Sequence, residues 1–172
     1  KLEFSGKFVE GTGTWMDDGS GFEINGVIQL GNGKNNRGGE WKEAKVFIQP
    51  GTMIEGGTLR VSHGRLEIQG TAARPVILKD ITFECEYTAT IAASYAVFID
   101  CKFRKAGNWF FNNGFSSKWQ LTDCMLVRSN FANLKKVDYG IKFQRCTFVQ
   151  CDLPDRSMTD DATRDNSSLF RH

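Results

Sequence analysis

Apolar residues occur in short alternating runs, at Phe22 and Ile24, Val46 and Ile48, Leu59 and Val61, and Leu66 and Ile68, each bounded by glycine or proline. A period of two turns one side of a strand to a core and the other to water, so these runs predict strands. Helical spacing is nearly absent. Only 88–98 shows a trace of it, and Ile91, Val97 and two threonines weigh against a helix there. The expected class is all-β.

A repeat organises the later strands. Leu78-Lys79-Asp80-Ile81-Thr82-Phe83 has the same form as Phe98-Ile99-Asp100-Cys101-Lys102-Phe103, Leu121-Thr122-Asp123-Cys124-Met125-Leu126 and Phe143-Gln144-Arg145-Cys146-Thr147-Phe148. The starts at 78, 98, 121 and 143 are 20, 23 and 22 residues apart, and Ile48-Gln49 precedes Ile68-Gln69 by 20. A period in the low twenties indicates a solenoid. About 22 residues hold three short strands with turns between them and leave no room for a helix, which predicts a parallel β-helix. Like positions then stack at roughly 4.8 Å. Phe98, Cys101 and Phe103 are expected to point inward, with Asp100 at a bend that needs left-handed backbone. Cys101, Cys124 and Cys146 are expected to form one inward column continued by Ile81, with Cys85 and Cys151 outside it. Asp80, Asp100 and Asp123 read as bend residues of that same position, with Arg145 as its fourth member.

This repeat, with the Gly-rich entry 51–61 before it, resembles the right-handed parallel β-helix superfamily that includes pectate lyases, over about residues 46–151. The resemblance implies a right-handed parallel β-helix of about five coils. Residues 1–45 are expected as a Gly-rich N-terminal cap, 46–151 as the β-helix and 152–172 as a polar C-terminal tail or cap. The superfamily spans lyases, glycosidases, adhesins and modules without known activity, so the fold leaves function open.

Composition narrows the classes. Phenylalanine outnumbers leucine, 14 to 10, which favours a pleated surface over a helix. A net charge of +2 with no block of like charge gives no nucleic-acid footprint and no basic membrane-attracting segment. No apolar run approaches the roughly 18 residues of a spanning helix, so membrane insertion is not expected. None of the five cysteines forms a CxxC knuckle with a matching pair, and no histidine is patterned with a nucleophile.

Three surfaces could carry function. On the strand after the bend, Glu84 and Glu86 are expected outward, with Lys102 and Arg104 one coil on. The lyase resemblance implies calcium held by Glu84 and Glu86, with Arg104 or Lys102 removing a proton; the alternative is a surface pairing of opposite charges. Without a lyase reaction no cofactor is expected. The second surface is aromatic: Trp109, Phe111 and Tyr139 beside Asn112 and Asn113 could stack on sugar rings while amides read hydroxyls; the alternative is that these rings fill the interior or hold down a long loop. The third is the pair of open solenoid ends, which could stack end to end into an oligomer. The expected function is a non-catalytic module that binds polysaccharide, with a calcium-dependent pectate-like lyase and a purely architectural segment as alternatives. An extracellular or periplasmic location follows from the resemblance alone.

Overall fold

The computed structural model describes residues 2–8, 10–32, 42–86, 89–105, 118–131 and 140–152. Among them there is no helix, and the chain winds as a parallel β-solenoid of about five turns. β1 (Leu2–Phe8), β2 (Gly11–Trp15) and β3 (Phe22–Leu30) open it. Trios follow: β4 (Ala44–Ile48), β5 (Met53–Glu55) and β6 (Thr58–Val61); β7 (Gly64–Gln69), β8 (Val76–Lys79) and β9 (Thr82–Cys85); β10 (Thr90–Ser94), β11 (Ala96–Ile99) and β12 (Lys102–Lys105). β13 (Lys118–Thr122) with β14 (Met125–Val127), and β15 (Gly140–Gln144) with β16 (Thr147–Val149), supply two strands each. Parallel bridges from Lys102 to Asn130 and from Asn130 to Asp152 continue the third position.

Each member of a trio belongs to its own face. The first face stacks β2, β4, β7, β10, β13 and β15. The second stacks the start of β3 under β5, β8, β11, β14 and β16, and the third stacks the end of β3 under β6, β9 and β12. β3 serves two faces because it bends at Gly26, whose φ of 83° is open to glycine at no steric cost. The Gly-rich N-terminal region therefore contributes strands to every face, and parallel pairing begins before residue 46. Of the stretch with faint helical spacing, the described residues 90–98 enter two strands, β10 and β11.

Alternation places the core. In β7 to β11 the buried residues Leu66, Ile68, Val76, Leu78, Phe83, Cys85, Ile91, Ala93, Ala96 and Phe98 alternate with partly or fully exposed ones. On the third face, register stacks Leu59, Phe83 and Phe103. Phe131 then caps Phe103 at 4.2 Å between ring centroids and 6° between planes. Phe98 meets both Phe83 and Phe103 edge-on, at 5.7 and 5.4 Å. Stacked and edge-on pairs of this kind add to the area that the rings already bury.

The corners are made by left-handed residues. Between the second and third faces these are Gly26, Gly56 and Gly57 in the early coils, then Asp80, Asp100, Arg128 and Gln150, with φ from 47° to 55° in the last four. Between the first and second faces they include Gly21, Gly51, Tyr95, Asp123 and Arg145. Gly70 serves a different need: a Cβ there would collide with the carbonyl oxygen of Tyr95.

The expected single thiol column is corrected to two. Phe98–Phe103 crosses the corner between second and third faces, whereas Leu121–Leu126 and Phe143–Phe148 cross the corner between first and second. Phe98 pairs with Leu126, not Leu121, and Leu121 pairs with Ala93. One corner column is therefore Ala96, Cys124 and Cys146; the other is Ile81, Cys101, Ser129 and Cys151. Both bends need a left-handed residue followed by a small inward one, so one hexapeptide satisfies both. The same correction separates Asp123 from Asp80 and Asp100. It also turns Arg145 from a substitute into the residue stacked on Asp123.

Candidate functional site

The third face carries the charged residues expected to do chemistry. In β9, Phe83 and Cys85 are buried, which turns Glu84 outward as expected. Strand register sets Lys7, Gln29, Arg60, Glu84 and Arg104 in one outward row. Within it Arg60 Nε donates to Glu84 Oε2 at 2.7 Å. Arg104 sits on the other side of Glu84, and its buried Nε has no partner among the described residues. Lys102 is exposed two residues earlier on β12, in register with Thr82.

Glu86 lies beyond the end of β9. Its backbone N–H donates to the Val61 carbonyl at 2.9 Å and its own carbonyl accepts from Ala89 at 3.0 Å, so it closes a turn. The structure thus brings Glu84, Lys102 and Arg104 onto one face and leaves Glu86 at its rim. Glu84 is held by Arg60, and among the described residues no group of three or more His, Cys, Asp or Glu side chains could hold a metal ion. The aromatic and amide candidates Trp109, Phe111, Asn112, Asn113 and Tyr139 lie outside the described residues. Of the neighbouring aromatics, Trp119 and Phe131 are core residues.

The bend carboxylates are engaged as well. Arg128 Nε and Nη2 donate to Asp100 Oδ1 and Oδ2, both at 2.7 Å, and Arg145 makes the same fork on Asp123 at 2.6 Å. Each arginine holds its aspartate below the usual carboxylate range. At the first corner, Asp17 Oδ1 accepts from the backbone of Gly19 and Gly21, both at 2.8 Å, and these bonds close Asp17–Gly21 into a turn.

The thiols are structural in their settings. Cys101, Cys124 and Cys146 are buried, and their sulfurs donate to main-chain carbonyls. Burial pushes the Cys101 thiol up to about 12. Cys124 is raised first by the hydrogen bond it shares with Cys146 and then by burial. Such thiols fill space as small apolar groups.

The first face was not singled out from the sequence. Its outward positions form one row that is polar throughout, Gln69, Ser94, Thr122 and Gln144, and a mixed row, Phe47, Glu67, Ala92, Gln120 and Lys142, with Thr90 and Lys118 beside them. Strand alternation marks each of these residues as outward; only the register shows that they form columns. Compared with protein-family models, curated proteins and solved structures, the chain matches none.

Proposed function

We propose that this chain is a non-catalytic β-solenoid module that binds polysaccharide along its first face. The observation that supports it is the in-register ladder of amides and hydroxyls, Ser94, Thr122 and Gln144 beside Gln120, on one parallel sheet. Neighbouring strands lie about 4.8 Å apart, so a polymer lying along the stack meets an amide or hydroxyl of the row Gln69, Ser94, Thr122 and Gln144 at each of four successive coils. Those groups read sugar hydroxyls, and the repetition supplies affinity through many weak contacts. Membership of the pectate-lyase-like superfamily and an extracellular or periplasmic setting belong to this reading, and both rest on the resemblance of the repeat.

A panel of neutral and acidic polysaccharides in affinity electrophoresis tests it. Retardation by at least one polymer is expected, weakened at least tenfold in a Gln120→Ala, Gln144→Ala double variant. No retardation across the panel would favour the architectural reading. Release of unsaturated ends absorbing in the ultraviolet from polygalacturonate with calcium, lost in Arg104→Ala, would replace the module by a lyase.

A further inference from the structure

The second face differs in character from the other two. Its outward positions are Met53, Ile77, Val97, Met125 and Thr147 in one row, and Glu55, Lys79, Ile99, Val127 and Val149 in the next. Seven of these ten are large and apolar. Met53, Met125 and Val149 are more than 40% exposed, and Tyr95 at the adjoining corner is 40% exposed. The inner face of the same strands already holds core residues such as Leu78, Phe98 and Leu126. These strands are apolar on both sides, the pattern of a sheet covered on both faces. At the corners beside the apolar area, charged groups are closed in pairs, Asp100 with Arg128, Asp123 with Arg145, and Lys79 near Asp80 at 3.7 Å.

We propose that the second face is the interface of a homodimer, in which two copies pack this sheet face to face about a two-fold axis. Five strands at about 4.8 Å and three to four residues of about 3.3 Å make a plane of roughly 20 by 10–13 Å. Side-chain relief and the corner residues about double that area, so two copies together remove roughly 800–1,000 Å² from water, the size of a weak, reversible interface. A dimer with micromolar affinity fits that size. Self-complementarity needs only this chain, and sheets pack in this way at about 10 Å separation.

Charge selects the orientation. The outward row continues towards the N-terminal coils as Glu55, Glu23 and Glu3. Copies stacked in the same direction would gather Glu3 and Glu23 of both chains at one end. Copies stacked in opposite directions, with the axis through Val97 and Ile99, set Ile77 against the partner's Met125. That arrangement sends Glu3 and Glu23 past the partner's β16, so the acidic groups of the two copies lie at opposite ends.

Sedimentation velocity on the full chain, from about 1 to 500 µM, tests this. A monomer–dimer equilibrium is expected, with at least a 30-fold weakening in Val97→Lys, which brings two ammonium groups together at the axis. Met125→Lys alters a side chain that is already 44% exposed and is expected to weaken it comparably with far-ultraviolet circular dichroism unchanged. Gln120→Lys on the first face should leave it intact. A wild-type chain that stays monomeric at 500 µM would overturn the proposal. So would a dimer indifferent to Val97→Lys and Met125→Lys, or one abolished by Gln120→Lys.

Discussion

Arg128 lies one coil above Asp100 and grips its carboxylate with two parallel hydrogen bonds of 2.7 Å, both residues standing in left-handed backbone. A left-handed residue costs about 1–2 kcal/mol outside glycine, and aspartate carries that cost better than arginine does. Stacking the two directly makes a fork geometry that an arginine in an ordinary loop would have to find by losing side-chain entropy. Arg145 on Asp123 repeats the arrangement at the other corner.

The paired aspartates set an acid limit on stability. Their folded-state pKa values lie below the ordinary carboxylate value, so the pairs stabilise the fold above about pH 3.9 and lose that contribution as pH falls through the folded values. Asp100→Asn keeps a residue tolerant of the bend and removes the charge. Its melting temperature is expected to fall below wild type by about 1–2 °C at pH 7, with the gap closing below about pH 4. A gap that is the same at pH 7 and pH 2.5 would show that the charge contributes nothing.

Phe103 is the centre of the aromatic column. It is stacked between Phe83 and Phe131, touched edge-on by Phe98 and Trp119, and 1% exposed. Phe103→Ala should destabilise the chain by about 3–5 kcal/mol in urea denaturation. A loss under 1 kcal/mol would mean the neighbouring rings collapse into the space.

Tyr95 holds a left-handed corner with φ 48°, a conformation that suits its neighbour in the stack, Asp123, better than an aromatic. Tyr95→Asn is expected to raise stability by up to about 1 kcal/mol, read from the denaturation midpoint. A fall in the midpoint would show that the ring's packing outweighs the backbone strain.

Thiol reactivity should follow position in the two columns. Cys151 is the least buried of the five and should react first with a neutral-pH alkylating agent. Cys101, fully buried and raised to about 12, should stay unlabelled until unfolding, as resolved by peptide mass spectrometry. Labelling of Cys101 as fast as Cys151 would contradict the inward corner.

The winding of this chain is legible in its amino-acid sequence. Alternate apolar residues such as Val46 and Ile48, and recurrences about twenty residues apart, dictate strands that must stack to bury one side. Inward Phe98 and Phe103 and the bend at Asp100 follow from the same local rules. Which bend was which did not follow, because a left-handed residue before a small buried one solves either corner equally well. The step from Phe98 to Leu121 looked like one coil, yet the pairing partner of Phe98 is Leu126, 28 residues on. Register is a property of the backbone ladder, set when whole strands align their buried sides, and it alone determines which side chains become neighbours. So the amino-acid pattern dictated strand, bend and inward side, while tertiary pairing decided that Arg145 meets Asp123, that Glu84 is taken by Arg60, and that Met53, Val97 and Met125 share one apolar plane.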